Sequence, residues 1–141
     1  PRSAMTSPSI DPKEAESQPD AFCDFMPASY KMHTTAAERE AHSSLYERLL
    51  ATRQCRAVEL AWQLPNDPTE HVQLYIAFHD RPGSLSTITA SLARSQINIL
   101  NMLAFSTPDG VAIDTLSLNR FDDKAAAELQ VSMEQQGYGS R

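Results

Sequence analysis

The strongest constraint on the fold of this chain is a change of period at residue 80. Val72, Leu74, Ile76 and Phe78 alternate with Gln73, Tyr75, Ala77 and His79, the two-residue repeat of a strand with one face on a core. Asp80, Arg81, Pro82 and Gly83 then turn the chain, and Leu85, Ile88 and Leu92 follow at helical spacing to about Ser95. Ile97 to Thr107 reads as a second strand, Pro108, Asp109 and Gly110 as a hairpin turn, and Val111 to Leu118 as a third strand. A final helix starts at Asp122, its N-cap, with Phe121 and Ala126 placed as a hydrophobic staple. Gly137 stands where a left-handed residue closes a helix, with Tyr138 placed to touch Met133.

Strand, helix, strand, strand, helix is an α+β order, a split βαβ or ferredoxin-like layout (βαββα) whose fourth strand is missing. That strand would lie at the sheet edge, antiparallel to the first. Without it the backbone of residues 71–78 is unpaired, an aggregation hazard in so apolar a strand. An upstream run offers a replacement: Val58, Leu60, Trp62 and Leu64 alternate with Ala57, Glu59, Ala61 and Gln63, and Pro65, Asn66, Asp67 and Pro68 break the pattern. Joined to residues 71–78 by six residues, the strand at 57–64 would form an antiparallel hairpin at the open edge.

Further upstream, Thr35, Ala36, Ala37 and Glu38 make a capping box, and Ala37, Ala41, Leu45 and Leu49 form one apolar stripe, giving a helix over 36–53. Five of the nine prolines fall in residues 1–27, and residues 1–20 bury too little apolar surface to offset their ordering entropy, so they read as disordered. The expected organisation is a disordered tail (1–20), a helical extension with a strand at 57–64 (21–70) and a packed module (71–138).

Charge and cysteines bound the function. With 12 Lys and Arg against 18 Asp and Glu, the net charge of −6 argues against non-specific nucleic-acid binding, which needs a clustered cationic excess. No apolar run reaches the roughly 20 residues of a membrane span, and no signal-peptide pattern opens the chain. Cys23 and Cys55, 32 residues apart, make neither a disulfide framework nor a zinc ligand set, which points to a reducing, cytoplasmic setting. His33 and His42 add nothing to a metal site. With four glycines, two of them in the last five residues, no phosphate-cradling loop can be built, and no nucleophile elbow or kinase motif is present. The chain reads as non-catalytic on its own, with no catalytic residue, metal or cofactor.

The stretch His71 to Phe121, HVQLYIAFHDRPGSLSTITASLARSQINILNMLAFSTPDGVAIDTLSLNRF, resembles an ACT domain, a small regulatory module of amino-acid-metabolic enzymes and signalling proteins. The features that carry the resemblance are Asp80 to Gly83, Asn98 with Ile99, Thr107 to Gly110, and Asp114. Among such proteins, Phe22 to Tyr30, FCDFMPASY, and His42 to Leu64 are similar to the N-terminal region of plant-type serine/threonine kinases. Uridylyltransferases share the hairpin. The resemblance implies a homodimeric regulatory domain that binds an amino-acid or other small effector and packs on its own kinase domain. The effector residues it implies are Asp80, Arg81, Pro82, Gly83, Ser84, Leu85, Asn98 and Ile99, with Asn98 reaching across a dimer interface.

The residues themselves allow that chemistry. Gly83 lets backbone approach a ligand, and the first N–H groups of the following helix converge on one spot with the positive dipole end, which suits a carboxylate. The same residues also serve simply to shape a turn, and the module then dimerises or recruits a partner without any ligand. Asp114 shares a strand face with Ala112, Leu116 and Leu118, so burial should raise its pKa, and hydrogen bonding across the hairpin is its expected role ahead of the alternative, contact with a ligand. His79 reads as a strand-end residue and Trp62 as core.

Overall fold

The computed structural model describes residues 22–51, 58–67 and 70–139, the last four of these by backbone alone. The expected disorder of residues 1–20, the residues 52–57 and Cys55 lie outside the described residues. A helical turn at 22–25 leads into α1 (Ser29–Met32) and α2 (Ala36–Ala51). Strands β1 (Val58–Gln63) and β2 (Val72–His79) follow, then α3 (Ser84–Arg94), β3 (Ile99–Ser106), β4 (Val111–Leu118) and α4 (Asp123–Gly139).

The four strands form one antiparallel sheet in the order β1-β2-β4-β3. β1 pairs with β2 from Val58 opposite Phe78 to Gln63 opposite Gln73, so it occupies the edge left open beside the first strand of the βαββα unit. This outer edge is partly closed by α2. Arg48 pairs with Glu59 at 3.3 Å and donates to the Leu60 carbonyl at 3.1 Å, removing an acceptor from a strand that another chain could extend. At the opposite edge, β3 carries a register shift between Ile99 and Asn101, and no strand among the described residues pairs with its outer side.

The two sides of the sheet hold separate cores. On one, Val72, Leu74, Ile76 and Phe78 of β2 meet Ile88 and Leu92 of α3 and Leu129 and Met133 of α4. Trp62 closes this side, its ring edge-on to Phe121 at 5.0 Å. Alternation in β2 predicts a second face open to solvent, and the structure corrects this. Tyr75 and Ala77 are buried too, beneath Phe22, Met26, Tyr30, Ala41, Leu45 and Leu49. The extension is therefore a third layer on the sheet, where each fully buried Leu contributes about 1.5–3 kcal/mol.

Helix ends follow side-chain chemistry. In α2, Thr35 N–H donates to Glu38 Oε1 (2.9 Å) and Glu38 N–H to Thr35 Oγ1 (3.1 Å), both halves of the capping box. Asp122 Oδ1 accepts from Ala125 N–H at 2.8 Å, capping α4, and Phe121 and Ala126 are buried in one core. The predicted stop at Gly137 does not occur, because α4 runs on to Gly139. Glycine permits a left-handed closure without imposing it.

Candidate functional site

The turn from β2 into α3 is built around Gly83, whose φ of 87° lies in the left-handed region that a side chain disfavours. Ser84 N–H bonds the Arg81 carbonyl (3.1 Å), and Thr87 N–H and Oγ1 both bond the Gly83 carbonyl (3.0 Å each). Between them, the N–H groups of Leu85 and Ser86 have no acceptor among the described residues, and no side chain caps the helix. Side chains cap α2 and α4 but not α3, whose Leu85 and Ser86 N–H groups stand at its positive end with Leu85 exposed beside them. Asp80, Arg81, Pro82 and Gly83 are exposed, whereas Ser84 is buried.

The turn is fixed to the β3–β4 hairpin, where Asp80 N–H donates to the Gly110 carbonyl at 2.9 Å. The hairpin is itself tightly closed. Thr107 N–H donates to the Val111 carbonyl (2.8 Å) and Gly110 N–H to the Thr107 carbonyl (3.1 Å), while Thr107 Oγ1 accepts from Val111 N–H (3.0 Å) and the Thr107 hydroxyl donates to Asp109. From the extension, Tyr46 O–H donates to Asp109 Oδ2 at 2.7 Å. Burial pushes the Asp109 carboxyl up, but the Thr107 and Tyr46 hydroxyls and the nearby His79 outweigh it and hold the pKa below its ordinary value. Tyr46 is pushed up to about 12 by burial and by this bond.

Asp114 is 3% exposed on β4, opposite Ile76 of β2 and Ala104 of β3, on the face that also carries Ala112 and Leu116. Burial, reinforced by the charge of Asp80, raises its pKa from 3.8 to about 7. The hydrogen bond expected across the hairpin is not formed among the described residues. Strand alternation puts the opposite residues, Ile76 and Ala104, on the same face, and neither side chain has a polar atom to offer.

The predicted effector residues divide into two groups. Asp80 to Leu85 stand together at the sheet end where His79 pairs with Val111. Asn98 and Ile99 lie at the other end, where Ile99 pairs with Leu118 and Asn98 N–H donates to Asn119 Oδ1 (2.9 Å), a strand length of about 25 Å away. Within one chain they do not meet the turn.

Sequence reasoning missed a second polar group. The His42 ring, fully buried, joins Tyr30 O–H at 2.6 Å through Nδ1 and Thr115 Oγ1 at 2.6 Å through Nε2, linking α1, α2 and β4. Burial lowers its pKa to about 4 and raises that of Tyr30. Its spacing from Leu45 and Leu49, three and seven residues, was the available signal. Among the described residues no cluster of three or more His, Cys, Asp or Glu is placed to hold a metal ion, and no helix is long and apolar enough to cross a membrane.

Residues 73–133, which contain the turn, the hairpin and Asp114, match the family model of the ACT domain. This stretch of the chain is an ACT domain. The ACT match begins at β2 and leaves out β1, so the strand that completes the sheet lies outside the family stretch. The chain is also 30% identical over 93 residues to a GTP pyrophosphokinase of Myxococcus xanthus, a match that covers 66% of this chain and 12% of that relative.

Proposed function

We propose that this chain is a regulatory segment in which the ACT domain captures an amino acid or similar small effector at the Asp80–Leu85 turn and pairs with a second copy, without catalysis of its own. The observation that carries the reading is the uncapped start of α3. A carboxylate at this turn gains the Leu85 and Ser86 N–H groups as donors and the favourable end of the helix dipole.

Pairing is favoured by the open β3 edge, where Leu100 is 47% exposed. A two-fold antiparallel pairing of β3 with a second copy's β3, centred near Met102, sets Ile99 of one copy against Ser106 of the other. Asn98 of each copy then comes to the end where its partner's turn stands, the placement that a single chain does not provide. The same open edge supports a second reading, an interaction module that dimerises without any ligand.

The parent protein is proposed as a larger enzyme regulated through this segment. A serine/threonine kinase rests on the likeness of Phe22–Tyr30 and His42–Leu64, whereas a relative that matches is a GTP pyrophosphokinase. A cytoplasmic setting is proposed, one that supplies free amino acids and keeps the Cys23 thiol reduced.

Calorimetric titration of the common amino acids, with sedimentation of the same samples, tests the reading. Saturable binding of at least one amino acid by a dimer is expected, and Gly83→Asp abolishes the heat while the dimer persists. A dimer that takes up none of them removes the effector and leaves the interaction module. A monomer with saturable binding removes the pairing.

A further inference from the structure

We propose that the cavity between the end of α3 and the start of α4 is a second site, separate from the turn, that binds a small phosphate-bearing anion. Its volume is about 260 Å³, and Arg94, Gln96, Arg120 and Lys124 line it together with Asp122 and Glu128. In a chain of net charge −6, three of the 12 Lys and Arg stand at this one place. On an ordinary solvated face the two carboxylates would pair them off, but both are engaged otherwise. Asp122 Oδ1 accepts from Ala125 N–H at 2.8 Å and its Oδ2 from Arg120 at 3.4 Å, while Glu128 Oε1 accepts from the Ser95 hydroxyl at 2.9 Å. Arg120 also donates to the Ser95 carbonyl. That leaves Arg94 donating to the neutral Ser132 hydroxyl at 3.0 Å, and Lys124 without a hydrogen bond or ion pair among the described residues. Two cationic groups at the cavity therefore have no anion.

The backbone at the end of α3 gives an independent sign. Gln96 N–H donates to the Ala93 carbonyl at 2.9 Å and Ile97 N–H to the Leu92 carbonyl at 3.0 Å, a pattern that closes a helix through one left-handed residue. Gln96 is that residue, with φ of 59°, a conformation that Gly83 and Gly110 adopt elsewhere without strain. A glutamine here adds strain and no core contact, since the residue is exposed. What it adds is an amide at the cavity, able to donate a hydrogen bond and unused by any partner among the described residues.

The chemistry of these groups selects the ligand. The Arg94 guanidinium, the Lys124 ammonium and the Gln96 amide all donate, and a phosphate offers several acceptor oxygens and more than one negative charge. The volume falls below the roughly 300–1,000 Å³ of sites that enclose drug-sized ligands, which favours a small phosphorylated metabolite over a nucleotide. The site stands at the sheet end where Ile99 pairs with Leu118, away from the turn, so it does not depend on the effector reading.

Titration of the isotopically labelled chain with inorganic phosphate, at neutral pH and constant ionic strength, tests the proposal. The amide resonances of Ser95, Gln96 and Lys124 should move saturably while those of Leu85 and Ser86 stay fixed, and sodium chloride at the same ionic strength should not reproduce the response. Arg94→Gln and Lys124→Gln, both at exposed positions, should each weaken phosphate binding about tenfold, the worth of one charged hydrogen bond. Gln96→Gly should weaken it too, without lowering the melting temperature. Resonances that do not respond, a response that sodium chloride reproduces, or a phosphate affinity that both charge variants leave unchanged overturns the proposal. If a variant does not fold, the chloride comparison on the unmodified chain still decides.

Discussion

Replacing Asp114 by Asn should stabilise the ligand-free protein at neutral pH, by an amount that depends on pH in a defined way. The folded carboxyl titrates at about 7 against an ordinary 3.8, so at pH values above 7 its ionisation costs about 4 kcal/mol in the folded state, at about 1.4 kcal/mol per tenfold change in the proton equilibrium. The sign follows from proton counting. Between pH 4 and 7 the folded state holds the proton more tightly than the unfolded chain, so stability falls as pH rises and levels out above 7. His42 works in the opposite sense. Its folded pKa of about 4 lies below the ordinary 6.5, so the unfolded chain binds the proton first and stability falls as pH drops from 6.5 toward 4. The two slopes oppose each other in the wild type over that window. In Asp114→Asn the opposing slope is gone, and His42 by itself should contribute a climb of about 3 kcal/mol from pH 4 to 6.5. Urea denaturation of both proteins from pH 4 to 8 provides the assay, and the difference between the curves cancels every other group. The variant should match wild type at pH 4 and exceed it by up to about 4 kcal/mol at pH 8. Parallel curves would refute the claim that Asp114 is a buried, uncompensated carboxyl.

Two further outcomes test the architecture. Thr115→Val leaves the His42 Nε2 group buried without its 2.6 Å partner, which should cost about 1–3 kcal/mol in denaturant unfolding, with Tyr30→Phe costing a similar amount and the double variant less than their sum. Asp122→Ala removes the cap on Ala125 N–H and should cost about 1 kcal/mol while leaving amino-acid binding unchanged, since α4 begins away from the turn.

Much of the sheet could be read from residue order because each element carries its own local signal. The Asp80–Gly83 turn, the Thr35/Glu38 box and the Asp122 cap are short-range chemistry, and each forms as its residue types require. The third layer was hidden. Tyr75 and Ala77 look like solvent-side positions in an alternating strand, and only the arrival of Tyr30, Leu45 and Leu49 from 26 or more residues away buries them. His42 was hidden for the same reason, since its partners lie on α1 and β4. At the site, Asp80 to Leu85 are contiguous and could be named together. The two unused N–H groups could not, because whether a helix start is capped depends on side-chain geometry. Asn98 is joined to the turn only by the resemblance, across a dimer interface, and within one chain the sheet sets it at the far end.

The central claim is that the start of α3 is a receptor for a carboxylate-bearing effector, and the amide resonances of Leu85 and Ser86 report on it directly. Titration of the isotopically labelled chain with each common amino acid should move both resonances in a saturable way for at least one of them, with Gly83 following and the Thr35/Glu38 and Asp122 helix starts unmoved. Resonances of Leu85 and Ser86 that stay fixed throughout, in a folded chain, would contradict the account.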